Sequence, residues 1–249
     1  MGFMENSISA ERENTMKLIA HGCGPTVHPS HTISSARLAL EQGADLVELD
    51  VQFTSDHRLA VFHDRSLKSR FGVEAECGEL SAEAFLSLRM RRDPMYPGYL
   101  LDHFFQCGVA PILIHYYKNV HTAVLDLVEE YGYAGRVVLG VNDVALVRDA
   151  KKRLPETEVL GFIPDPSEIE AFAEAGASYI RLWERWLSEE NVRRVRESGA
   201  ELWVMSGGPE TGCPTGKPSV DGLWRIAQWE PDGILVDNVP FARASLEEG

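Results

Sequence analysis

Four side chains of this 249-residue sequence combine reactive type with suggestive placing: His21, Glu48, Asp50 and His63. Glu48 and Asp50 are two apart in the run Val47-Glu48-Leu49-Asp50, so on a strand both point to one face. Two carboxylates on one face repel unless a proton or a cation resolves them, and a hard divalent ion with oxygen ligands does so. Salt bridges to neighbouring Lys or Arg are the purely structural alternative. His21 closes the apolar run Leu18-Ile19-Ala20, and His63 closes Val61-Phe62, so two imidazoles at strand ends flank the carboxylate pair. Imidazole titrates near neutrality, and a pair can divide proton donation and acceptance between them.

Something must hold these groups together. Short apolar runs rich in β-branched residues occur at 18–22, 46–52, 59–63, 111–116, 136–141, 158–163, 179–183, 201–206 and 233–237, with helical periodicity between most of them. Gly43, Gly132, Gly176 and Gly199 follow predicted helices as C-terminal signals. Strand and helix alternating at this spacing predict an α/β fold of parallel β/α units, best fitted by a (β/α)₈ TIM barrel. An open doubly wound sheet is the alternative. Nine strands exceed eight because only residues 54–58 separate the second run from the third, too short for a parallel crossover of about a dozen residues. Those two predict an extra antiparallel β-hairpin after the second strand. Residues 64–105 contain no clean barrel unit and are expected to form a small inserted cap, within one domain spanning 16–249. Residues 1–15 read as an N-terminal tail, with Met16 a candidate internal start.

Composition narrows the function. Lys plus Arg number 24 against 38 Asp plus Glu, a formal net charge of −14, which argues against a chain-wide nucleic-acid or anionic-membrane surface. Cys23, Cys77, Cys107 and Cys213 are scattered without the spacing of a zinc ribbon or disulfide framework. No run of 18 apolar residues predicts a membrane span, and the tail lacks a signal-peptide pattern, so a cytoplasmic protein is expected. Nothing in the sequence specifies an oligomeric state.

The residues singled out resemble the glycerophosphodiester phosphodiesterase family. Ile19-Ala20-His21-Gly22 is similar to its opening Ile-Ala-His-Arg-Gly element, and Pro29-Ser30-His31-Thr32 to its Pro-Glu-Asn-Thr or Pro-Glu-His-Thr element. LALEQGADLVELDV at 38–51 resembles the strand with Glu-x-Asp, LAVFHDRSL at 59–67 the His-Asp-x-x-Leu segment, and DGILVDNVP at 232–240 the closing element. The resemblance implies a (β/α)₈ barrel that hydrolyses small glycerophosphodiesters to glycerol 3-phosphate and an alcohol. It implies Glu48 and Asp50 as ligands of a divalent metal, Mg²⁺ or Ca²⁺, and His21 and His63 as the catalytic acid/base pair.

Departures from the family pattern cluster where substrate would sit. Gly22 stands in place of a phosphate-gripping arginine, and Ser30 in place of a glutamate. The family's Glu-x-Lys falls within Ile114-His115-Tyr116-Tyr117-Lys118; aligned from Ile114, His115 is the metal position and Tyr117 replaces the Lys, whereas aligned from Lys118 the metal position is Tyr116. His115 is preferred because neutral imidazole ligates metals, and its presence would move preference towards Mn²⁺ or Zn²⁺. Lys118, Tyr117, Met205 and Trp203 are the expected substrate-binding positions; Met205 falls where the family has a tryptophan, and Gly140-Val141-Asn142 replaces a Ser-Phe. The Gly/Pro-rich stretch 209–218 reads first as a surface loop and alternatively as a lid that supplies Lys217 as a substitute cation, and Arg89, Arg91 and Arg92 form a basic cluster on the expected cap, either attracting an anionic substrate or simply a solvated face. His28 and His31, in the first strand-to-helix loop, are candidates to line the pocket, with solvated loop histidines as the plainer reading, and Trp183, Trp186, Trp224 and Trp229 read as helix-to-strand packing. The same departures leave two other readings: a phosphate-ester lyase or transphosphorylase with a changed substrate, and a non-catalytic binding protein on the same barrel.

Overall fold

The computed structural model describes residues 16–248. Its strands are β1 (Lys17–Ala20), β2 (Leu46–Phe53), β3 (Leu59–Val61), β4 (Ile112–His115), β5 (Val137–Val141), β6 (Glu158–Gly161), β7 (Tyr179–Trp183), β8 (Glu201–Met205) and β9 (Gly233–Val236). All but β3 pair in parallel, and β1 hydrogen-bonds to both β2 and β9, which closes an eight-stranded barrel. The strand β3 runs antiparallel to β2, with Val51 opposite Val61, as the five-residue connection requires.

Around the barrel lie α1 (Ile33–Glu41), α2 (Lys68–Phe71), α3 (Ala82–Ser87), α4 (Leu101–Gln106), α5 (His121–Glu130), α6 (Val144–Arg153), α7 (Ile169–Glu174), α8 (Glu189–Glu197), α9 (Val220–Ala227) and α10 (Val239–Glu247). Several begin on the side-chain oxygens their sequences offer: Thr32, Asp143, Ser188, Ser219 and Asn238 each accept a hydrogen bond from the first turn that follows.

Strand alternation splits the apolar residues into two layers. Val47, Leu49, Ile112, Ile114, Leu139, Ile180, Leu182 and Val204 face outward and pack with the helices in the main core. Ile19, Leu46, Leu113, Val138, Leu160, Trp203 and Leu235 fill the barrel interior. Apolar side chains thus plug the barrel, and the inward positions nearer the C-terminal strand ends are left for polar groups.

The segment after β3 has its own cluster, with Phe62, Leu67, Phe71, Phe85, Met90, Tyr96 and Leu100 buried together. Its last part differs from expectation: Leu101, Phe104 and Phe105 of α4 bury into the main core, so residues 101–105 belong to the barrel's outer layer. Among the described residues no helix is long and apolar enough to cross a membrane.

Candidate active site

The C-terminal strand ends open into a cavity of about 440 Å³, lined on one side by His21, Glu48, Asp50, His63 and His115 and elsewhere by Tyr117, Phe162, Arg181, Trp183 and Met205. Parallel register sets Asp50 beside His115 on the neighbouring strand. One ligand atom each from Glu48, Asp50 and His115 lies within 4.8 Å of the others. Asp50 is held from both sides, with Oδ1 2.7 Å from His115 Nδ1 and Oδ2 3.0 Å from His31 Nε2. Glu48 Oε2 accepts the Gly22 backbone N–H at 2.8 Å.

Burial makes the two carboxylates diverge. Desolvation and the charge of Asp50 raise the Glu48 pKa. Desolvation acts the same way on Asp50, but hydrogen bonds and charge from His115 and His31 outweigh it and hold Asp50 well below the usual carboxylate range. Two acidic side chains and an imidazole converging from β2 and β4 suit a divalent cation: carboxylates supply hard oxygen ligands, and His115 one borderline nitrogen. The Gly22 N–H engages only Oε2 of Glu48, which leaves Oε1 available to such an ion.

Each candidate acid/base histidine is oriented by an aspartate. His21 Nδ1 lies 2.7 Å from Asp237 Oδ1, and His63 Nδ1 3.0 Å from Asp64 Oδ1. Burial lowers the His21 pKa, yet the Asp237 hydrogen bond and the charges of Glu48, Asp237 and Asp50 overcome it and bring it up to about 9. His63 is opposed by weaker desolvation and raised by Asp50 and Asp64. The His21–Asp237 contact is covered by Gly216, at φ +75, where a Cβ would fall 2.1 Å from Asp237 Oδ1 and 2.9 Å from His21 Nδ1. Only glycine fits there.

The departures seen in the sequence have physical counterparts. Gly22 adopts φ +56, and a Cβ on it would meet Ser30 and the His31 ring at 3.4 and 3.5 Å. His31, read from sequence as a loop histidine, is instead buried against Asp50 and closes this corner. Ser30 accepts two hydrogen bonds from the Arg70 guanidinium, through its carbonyl and its hydroxyl, both at 2.6 Å. A Cβ at Gly140 would lie 2.5 Å from Phe162, whose ring stacks on His115 with centroids 4.2 Å apart. Glycine on β5 therefore makes room for the aromatic face that supports His115.

Not every expected residue reaches the cavity. Trp203 is fully buried in the barrel interior, stacked on Tyr179, because its inward position on β8 lies one layer below Met205. Lys118 starts the short helical turn 118–120, is exposed, and does not line the cavity. Tyr117 and Met205 do line it. The ambiguity at 115–116 is resolved by register: His115 points inward, while Tyr116 is outward and buried, its hydroxyl 3.1 Å from His121 Nδ1. Lys217 extends to 3.9 Å from Asp237 Oδ2 and is largely exposed. Arg89 caps the end of α3 through the carbonyls of Leu86, Ser87 and Leu88, whereas Arg92 lines a separate cleft with His28 and Arg70. Trp183 was expected to pack a helix, yet it lines the cavity beside Arg181. Sequence reasoning missed the pairing of His31 with Asp50, and missed Asp237 and Arg181 as site residues. The available signals were Asp237 in the quoted closing motif and an arginine at inward parity in Tyr179-Ile180-Arg181-Leu182-Trp183.

A closed parallel barrel with acids and imidazoles at its C-terminal mouth has the build of a (β/α)₈ enzyme. Residues 21–154 match the model of the glycerophosphoryl diester phosphodiesterase family, more than half of the chain, and the chain belongs to that family. A glycerophosphodiester phosphodiesterase of Caldanaerobacter subterraneus subsp. tengcongensis is 26% identical over 156 residues, covering 57% of this chain and 64% of the relative. A putative glycerophosphodiester phosphodiesterase of Bacillus subtilis is 43% identical over 49 residues, 20% of each chain. The chain thus spans less than two thirds of the length of these curated relatives. Among solved structures, a glycerophosphodiester phosphodiesterase from Agrobacterium tumefaciens superposes with a TM-score of 0.76 at 21% identity, covering 92% of this chain and all of that one. An Oleispira antarctica phosphodiesterase in complex with sn-glycerol-3-phosphate gives 0.77 at 13% identity, covering 93% and 96%. At these identities the shared feature is the fold.

Proposed function

We propose that this chain is a metal-dependent phosphodiester hydrolase that releases glycerol 3-phosphate and an alcohol from small glycerophosphodiesters. The observation that carries this reading is the convergence of Glu48, Asp50 and His115 with the His21–Asp237 and His63–Asp64 pairs in one cavity. Glu48, Asp50 and His115 would hold the divalent ion, which when bound supplies Lewis-acid polarisation of the phosphoryl oxygens. His31 positions Asp50 from the side away from His115, and the Gly22 N–H positions Glu48.

His21 and His63 handle the protons. His21, held protonated past neutrality by Asp237, is matched to donating a proton to the departing alkoxide. His63, more exposed and next to Asp64, is matched to accepting the proton of the incoming water. Phe162, Trp183 and Met205 line the facing side of the cavity with apolar surface.

The test is phosphorus NMR of glycerophosphodiester turnover after EDTA treatment and re-addition of Mg²⁺, Ca²⁺, Mn²⁺ or Zn²⁺. Metal-restored release of glycerol 3-phosphate is the expected result, with Mn²⁺ or Zn²⁺ effective if His115 is a ligand. No turnover with any ion, from folded protein, would overturn the reading; a cyclic phosphate product would replace hydrolysis by transphosphorylation.

A further inference from the structure

Arg181 is the single Lys or Arg among the described residues that line the cavity. It sits in the middle of β7, which lies four strands from β2 in either direction round the barrel and therefore faces the carboxylates across the mouth. The side chain is 5% exposed, and both Nε and Nη1 are buried without a hydrogen-bond partner. Among the described residues no carboxylate pairs with it. Burial pushes its pKa down to about 9, so the guanidinium still carries its charge at neutral pH. A buried cation without a counter-charge is costly in any fold.

What surrounds it fixes its plane without satisfying its donors. The guanidinium carbon stands 4.4 Å from the Trp183 ring centroid, 5.1 Å from Phe162 and 5.8 Å from Trp186. Aromatic faces offset part of the desolvation through cation–π attraction and immobilise the fork, but its in-plane N–H groups are left for an acceptor. A planar fork with free donors matches two oxygens of a phosphoryl group.

We propose that Arg181 is a substrate-binding residue of this chain, gripping the non-bridging phosphoryl oxygens of the bound phosphodiester and of its phosphomonoester product. This rests on the phosphodiesterase reading for the identity of the anion. Arg181 would then face, across the mouth, the Glu48, Asp50 and His115 set that would hold the divalent ion, so that the phosphoryl group would lie between two positive charges. The geometry also accounts for the aromatic lining: Trp183 and Phe162 hold the guanidinium as well as bounding the cavity.

The test uses the full chain, with glycerol 3-phosphate as the probe in calorimetric binding and thermal-shift measurements, alongside glycerophosphodiester kinetics. Arg181→Met, which removes the unpaired charge at similar length, should leave the unprobed melting temperature unchanged or higher. It should weaken glycerol 3-phosphate binding and raise KM at least about tenfold, with the ligand-induced thermal shift lost. Arg181→Lys should restore part of the binding and serves as the second variant if Arg181→Met fails to fold. Wild-type binding retained in Arg181→Met, or in Arg181→Lys and Arg181→Gln alike, would overturn the proposal while leaving the hydrolase reading intact. Wild-type protein that binds glycerol 3-phosphate through Arg181 yet turns over no diester would uphold the anion site and overturn the hydrolase reading instead.

Discussion

The two walls of the barrel mouth are built on opposite principles. The wall made by β1, β2, β4 and the loop after β3 is acidic and imidazole-rich, and nearly every group on it is tied to another: Asp50 to two histidines, His21 to Asp237, Glu48 to the Gly22 N–H. The facing wall, from β6 to β8, is aromatic and carries one cation whose donors are left open. The family match, residues 21–154, takes in His21, Glu48, Asp50, His63 and His115 of the first wall, though not Asp237, and ends before the second wall begins. Under the proposed roles, one wall would hold reacting groups in fixed geometry and the other would offer open donors to an anion. Those proposed roles would separate chemistry from recognition within a single cavity, so each could be perturbed alone.

The sharpest way to break this contrast is on the acidic wall. Glu48→Gln should lower kcat/KM by about 10³-fold or more through loss of the ion, and His63→Ala by about 10²–10⁴-fold. Circular dichroism should show both variants folded, and retained turnover in either would remove the role assigned here. A finer probe is Asp237→Asn, which deletes the main group holding the His21 pKa up. The limb of the pH–rate profile governed by His21 should then move to lower pH by about 1 unit or more. Asp64→Asn should move the His63 limb less, because that pair is largely exposed.

The same raised pKa has a consequence for stability. The folded-state value for His21 is about 9 against an ordinary 6.5, so its contribution is fully present below about pH 6.5 and is lost as pH rises through 9. Urea unfolding of EDTA-treated protein should show a fall on the order of 3 kcal/mol across that window. His21→Asn should flatten it. The smallest expected effect is at the mouth's outer rim. Lys217→Ala should change kcat/KM by no more than about twofold, since its contact with Asp237 is long and solvent-exposed. A tenfold loss there would relocate the anion-binding cation from β7 to the loop.

Much of this molecule was legible from its residues because local rules carried the information. Period-two alternation and the five-residue connection 54–58 specify the strands and the hairpin, and glycines at 43, 132, 176 and 199 end helices with positive φ as expected. The Glu48-x-Asp50 spacing places both carboxylates inward for the same reason. Boundaries were less legible where tertiary packing decides them: α4 looks like part of an insertion until its Leu101, Phe104 and Phe105 are seen in the main core.

Long-range pairing was hidden altogether. His31 and Asp50 are 19 residues apart, and His21 and Asp237 are 216 apart; no local pattern announces either contact. Trp203 and Met205 share one face of β8, yet only the depth of the closed barrel decides that the first is plug and the second is lining. Arg181 is the clearest case. Its sequence neighbours specify a strand and its parity an inward side chain, but that its donors remain unpaired depends on which residues the seven other barrel strands bring, or fail to bring, to the same mouth. Residue type and spacing determined the strands, the helices and the acid–imidazole set. Which charges are compensated and which left open was decided only by barrel closure, because electrostatic pairing depends on distance in space and not along the chain.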